Sequence, residues 1–129
     1  MPEHKWAELS DEEKNILVRK CAGWTSKMLN TGIHHQKELC WHEPGGNGWM
    51  VPGSSFPDYV NDLNSIHNVI SKLSSVDYAC YGDNLEVVVG FDSNTKLWSE
   101  YRKLIEATSD QQSEAFVLTM EKLNESNGS

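Results

Sequence analysis

The chain lacks every short motif that would name a reaction. Its 129 residues contain no nucleophile elbow, no phosphate-binding P-loop, no dinucleotide fingerprint and no pair of spaced metal-ligand clusters. Long apolar stretches are missing too. Uninterrupted runs such as 87–89 are far too short to cross a bilayer, so no membrane partner is expected. The start, MPEHKWAELSDEE, has neither the basic opening nor the apolar stretch of a secretory signal, which leads us to expect a cytoplasmic protein. Cysteine is scarce and odd in number: Cys21, Cys40 and Cys80 fit free thiols in a reducing compartment better than a disulfide framework. Positive charge is scarce as well. Eleven basic residues against nineteen acidic ones leave a net charge of -8, a field that repels a phosphate backbone. Nucleic acid is therefore not an expected partner, whereas a basic protein surface would be attracted.

What is present is enough apolar material for one domain. The chain is 38% hydrophobic with five tryptophans, and a domain of this length buries roughly two-thirds of its unfolded surface. Ser10 and Glu13 have the spacing of a capping box, and Ile16, Leu17, Cys21 and Trp24 recur at helical intervals up to Gly23, predicting a first helix over 11–22. Residues 24–57 hold no period. Their Gly, Pro, Asn and Ser content marks a long loop, which Trp41, Trp49 and Phe56 argue is ordered. Tyr59, Leu63, Ile66, Ile70 and Leu73, with Val69 beside them, form one stripe and predict a second helix over 61–73. Residues 76–81 alternate imperfectly, Gly82-Asp83-Asn84 is turn chemistry and 85–91 is rich in valine, which predicts a hairpin followed by a turn at 92–94. The segment 95–107 fits either a helical stripe of Leu97, Trp98, Tyr101, Leu104 and Ile105 or a third strand near 101–107, and its position after two strands favours the strand. Ser109 or Asp110 would cap a last helix burying Ala115, Phe116, Met120 and Leu123, with 1–9 and 124–129 fraying.

This order, with several local features, resembles the phage ABA sandwich domain, a family of small bacteriophage proteins. The matching points are the Gly23-Trp24 ending of the first helix, the Trp/Pro/Gly-rich loop, and the Pro57-Asp58-Tyr59 entry to a helix with Asp62-Leu63. The later points are a β-meander, Ala107-Thr108 and the Ser113-Glu114-Ala115 step. Together they run from about Leu9 to Leu123. Val60 stands where the family pattern has a serine, which leaves Asn61 as the expected helix cap. The resemblance implies an α+β fold, an α/β/α-type sandwich with a small antiparallel β-meander and about three helices in one domain. It also implies a phage or prophage origin, and it transfers no catalytic residue.

Two groups of residues carry candidate chemistry. His34, His35, Cys40, His42 and Glu43 gather metal-binding side chains in one short stretch, but the spacing matches no zinc module, so neither a metal nor any other cofactor is expected. Cys40 and His42 stand two apart without an orienting third group, and no enzymatic role is expected of them. The stronger signal is aromatic. Trp41 and Trp49 flank a Pro-Gly-Gly-Asn-Gly segment whose backbone could approach a ligand, with flat indoles to stack on it. Trp41, His42, Gly46, Trp49, Tyr59 and Asp62 are accordingly the expected ligand-binding residues. The expected function is a non-enzymatic phage-type accessory protein that sequesters a small host molecule, such as a nucleotide-derived defence signal. The rival expectation is an acidic inhibitor that masks a basic surface of a host defence factor, using Glu3, Glu8, Asp11, Glu12 and Glu13. The sequence leaves self-association open.

Overall fold

The capping box closes as expected. In the computed structural model the Ser10 hydroxyl accepts from the Glu13 amide at 3.2 Å, the Ser10 amide donates to the Glu13 carboxylate at 3.0 Å, and α1 runs Asp11–Cys21 from there. The structure describes residues 6–30, 37–51, 55–92, 94 and 97–128, the last four without their side chains. The expectations for His34, His35, Glu3 and the extreme ends fall outside these residues. Fraying does not extend over all of 1–9: Trp6–Glu8 form a 3-10 turn, and Trp6 is buried and donates through Nε1 to Asp110 at 3.2 Å.

The segment expected as a loop carries the sheet. Strands β1 (Thr25–Asn30), β2 (Lys37–His42) and β3 (Trp49–Met50) pair antiparallel in the order β1-β2-β3, with Thr25 opposite His42 and Trp41 opposite Met50. Gly and Pro mark the connection: the Gly46 amide donates to the Glu43 carbonyl at 2.9 Å and Gly45 takes φ 78°, a left-handed conformation suited to glycine. The strands escaped the pattern because they are mostly solvated. Only Leu29 of β1 is even half-buried, and β2 buries two adjacent residues, Cys40 and Trp41, rather than alternate ones.

Helix α2 (Leu63–Ile70) is shorter than the stripe implied, and its cap is Asp62, not Asn61: the Asp62 carboxylate accepts from the Asn64 amide at 3.0 Å. Ile66 and Ile70 are buried and Val69 and Leu73 pack against the core, but Leu63, at the first helical position, is exposed.

The predicted hairpin is a helix. Ser74 caps α3 (Ser75–Val89), which ends at Gly90 in the left-handed region at φ 73°. Gly82 sits inside it in open space, and Asn84, read as a turn residue, is buried. Its amide nitrogen donates to the Thr119 hydroxyl and its oxygen accepts from the Lys122 ammonium, both at 2.9 Å. A tertiary anchor thus overrides local turn chemistry. The third strand near 101–107 is also a helix, α4 (Trp98–Ile105), so the helical stripe was the better reading of that segment.

Helix α5 (Ser109–Gly128) is capped by Thr108, whose hydroxyl accepts from the Gln111 amide at 3.1 Å while its own amide donates to the Gln111 side chain at 2.9 Å. Ser109, an expected cap, instead donates to the Val60 carbonyl at 3.0 Å, and Ser113 donates to the Tyr59 carbonyl at the same distance. The helix continues through 124–128, where fraying was expected. Ala115, Phe116 and Val117 are buried, while Met120 and Leu123 are half-buried. Helices α1, α2 and α3 each pack on α5, and Val18, Tyr59, Val60, Ile66, Ile70 and Tyr81 meet Phe116's layer to form the core. The class is α+β, with the three-stranded sheet placed between α1 and α2 in the chain rather than after α2, and five α-helices among the described residues rather than three.

Candidate functional site

Gly23 sets up the site. Its φ of 96° reverses the chain at the end of α1, where the Trp24 amide donates to the Arg19 carbonyl at 3.0 Å. A Cβ at Gly23 would meet Pro44 at 3.4 Å, so the α1 exit and the β2–β3 turn lie close together. Trp24 is thereby buried edge-on against Phe56, with ring centres 6.2 Å apart.

Beside this turn lies a cavity of about 350 Å³. Trp24 and Tyr59 line it from the α1 exit and the entry to α2, and Phe116 and Met120 line it from α5. Glu43 and Pro44 enter from the β2–β3 turn, α2 contributes Ser65, Asn68 and Val69, and Lys72 comes from the turn just after α2. The volume is in the range of small-molecule sites, and the mixture of aromatic wall with a few polar groups is typical of them. The cavity's thiol is mute. Burial, with Glu121 nearby, pushes Cys21 up to about 12, so at neutral pH it is a protonated, hydrophobic group rather than a nucleophile. Burial likewise pushes the Tyr59 phenol above its ordinary value, against a hydrogen bond from Trp24 and the charge of Arg19.

Behind the cavity a cation is enclosed by rings. Arg19 is 5% exposed, and its guanidinium carbon lies 4.7 Å from the Trp41 ring centre and 4.3 Å from that of Phe56. Its Nε and Nη1 find no hydrogen-bond acceptor, and desolvation lowers its pKa against the opposing charges of Tyr59 and Glu12. An arginine stays protonated under any physiological condition, so the two π faces substitute in part for lost water.

The six residues expected to bind a ligand separate on this geometry. Tyr59 lines the cavity. Asp62 touches it indirectly, because its carboxylate accepts from the hydroxyl of the lining residue Ser65 at 3.0 Å. Gly46 shapes the turn that delivers Glu43 and Pro44, and a Cβ there would press on the Glu43 carbonyl at 3.1 Å. Trp41 is buried against Arg19 and does not line the cavity. Trp49 is 41% exposed and stands edge-on to His42 at 5.3 Å, also away from it. Sequence reasoning missed Trp24, Phe116, Ser65 and Asn68 of α2, and Lys72 in the turn after it. Asn68 and Lys72 lie off the apolar stripe of α2, which is the only feature the sequence pattern weighs there.

Among the described residues no group of three His, Cys, Asp or Glu side chains could hold a metal ion. The acidic start of α1 has local roles: Glu13 completes the capping box, whose hydrogen bonds to Ser10 hold its carboxyl below the usual range, and Asp11 accepts from Asn61 at 3.1 Å. Acids in a first helical turn also complement the helix dipole. No described helix is long and apolar enough to cross a membrane. The chain matches no family model, no curated protein and no solved structure, so the site is read on its own geometry.

Proposed function

We propose that this protein is a non-enzymatic binder that holds and sequesters a small planar molecule in the cavity between Trp24, Tyr59, Phe116 and α2. The observation that carries the reading is the cavity itself, about 350 Å³ with aromatic walls and one cationic side chain, Lys72, on its α2 side. An aromatic ring of the ligand packs on the Trp24–Tyr59 side, an acidic group meets the Lys72 ammonium, and Asn68 and Ser65 supply neutral hydrogen bonds. Glu43 on the opposite side selects for a ligand that also carries an N–H donor. A nucleotide-like molecule has all three features. The protonated Cys21 thiol favours binding over covalent chemistry. The resemblance to phage accessory proteins supports a host-derived ligand, a nucleotide-type defence signal being the candidate that matches the cavity's chemistry.

The test is to purify the protein from expressing cells, denature it by heat and identify released small molecules by mass spectrometry. Stoichiometric release of a nucleotide-like compound, abolished by Lys72→Ala together with Tyr59→Ala in a protein that keeps its helical circular dichroism, is the expected result. Absence of any stoichiometric small molecule, together with no binding of a nucleotide panel by calorimetry, would overturn the proposal.

A further inference from the structure

A second surface, away from the cavity, leaves a large apolar area uncovered. Helix α4 is eight residues long, lacks a side-chain N-cap and buries none of its residues, although an isolated helix of that length is marginal in water. Trp98, Tyr101 and Ile105 fall on one of its faces, at helical spacing, and Trp98 and Ile105 are 73% and 71% exposed. Ring contacts join Trp98 to Tyr101 at 6.3 Å and Tyr101 to Phe91 at 5.4 Å. At its other end the face opens into a groove of about 260 Å³, lined by Leu104 and Ile105 of α4, Leu63 of α2, and Tyr78, Tyr81 and Leu85 of α3.

We infer that this face is a self-association surface, the interface of a two-fold symmetric dimer of this chain. Three observations select a second copy over a different partner. First, charge: on a chain of net charge -8 the described residues lining the groove include His67 and Gln112 but no Asp, Glu, Lys or Arg, so two copies can approach there without carboxylates facing each other. Secondly, the four charges of α4 and its C-cap are already paired with one another, Arg102 with the C-cap Glu106 at 2.8 Å and Lys103 with Glu100 at 3.0 Å. They leave no net charge to recruit a basic or acidic partner, and apolar, charge-depleted contact is the character of homodimer interfaces. Thirdly, area: Trp98, Ile105, Tyr78, Leu63 and Tyr101 are 73%, 71%, 54%, 45% and 39% exposed, and those fractions of their side chains together offer on the order of 600 Å², the larger part of the ~800 Å² per copy of a standard interface. The face also has both halves of an isologous contact, a projecting ridge in Trp98 and Tyr101 and a receiving groove beside Ile105, so each copy's ridge enters the other's groove.

The test is sedimentation equilibrium of the full-length protein over a wide concentration range, for wild type and for Trp98→Glu and Ile105→Glu. Both residues are so exposed that the substitutions leave the monomer's circular dichroism unchanged. The dimer's dissociation constant should rise about tenfold or more in each variant. A proximity measurement supplies independent evidence: with Cys80→Ser removing an exposed native thiol, Tyr101→Cys should form an interchain disulfide on oxidation, at a rate that Ile105→Glu suppresses. A wild type that stays monomeric at every concentration would overturn the inference and leave the face to a different partner. A dimer indifferent to both substitutions would overturn it equally, because another surface would then be holding the copies together.

Discussion

Two aromatic regions of this molecule use the same residue types to opposite ends. Around the α1 exit, Trp24, Trp41 and Phe56 are drawn inward, the last two stacked on the enclosed Arg19 cation, and a cavity is left beside them. Around α4, Trp98 and Tyr101 stand outward on a helix that buries nothing. The difference lies in what the neighbouring chain offers. Gly23, Pro44 and the three-stranded sheet fold over the first group, whereas a short helix between two turns leaves the second group uncovered. A tryptophan on this chain is therefore no evidence of a site by itself. Enclosure beside a void is what supports the proposed pocket in the first region, and exposure on a charge-poor face is what supports the proposed interface in the second.

That contrast can be broken most severely at Trp41. Trp41→Ala should destabilise the protein by about 3–5 kcal/mol, since it opens a void and takes away one of the two rings on a buried cation. Urea denaturation with an unchanged slope would register it. Next in size is Gly23→Ala, expected to cost about 1–2 kcal/mol because an alanine resists φ 96° and its Cβ contacts Pro44. The same substitution should weaken ligand capture, which heat-release measurements would show.

A smaller effect comes from α5, the scaffold common to both regions. Burial, with the charge of Asp110, holds the Glu114 carboxyl above the usual range against the opposing effect of Lys14. A folded-state pKa raised above the unfolded one means that ionisation opposes folding. The penalty is present above the folded pKa and vanishes as pH falls below the unfolded value. Glu114→Gln should thus modestly stabilise the protein at neutral pH, and its denaturation midpoint should converge with that of wild type below about pH 4. Trp98→Ala sharpens the comparison from the other side: measured on dilute monomer, it should change stability by no more than about 0.5 kcal/mol, the range for exposed positions. A cost as large as that of Trp41→Ala would place Trp98 in the monomer's core and erase the distinction.

Legibility in the sequence followed the reach of the interactions. The start of α1 was readable because its capping box closes within four residues, and the Ile66–Ile70 stripe was readable because its period is local. Helix α3 was misread because Gly82, Asp83 and Asn84 look like a turn, while the contact that holds Asn84 in a helix comes from Thr119 and Lys122 on α5. The sheet was invisible because its strands bury too few side chains to alternate, leaving backbone pairing as their chief signature. Of the site, Tyr59 could be anticipated from its place beside the helix entry. Trp24 was read as the end of a helix stripe, and Asn68 and Lys72 lie off the apolar stripe of the second helix, because a cavity wall made by α2 and its following turn against α5 exists only once the helices are packed.

The central claim, that the cavity captures a small molecule, is tested most directly by native mass spectrometry of the protein purified from expressing cells, wild type beside Val69→Trp. Val69 lines the cavity from α2, and an indole there would occupy much of its volume. The account predicts a wild-type mass exceeding that of the chain by one discrete ligand, lost on denaturation and missing from a folded Val69→Trp variant. A bare wild-type chain, or a bound mass retained unchanged in the filled variant, would contradict it.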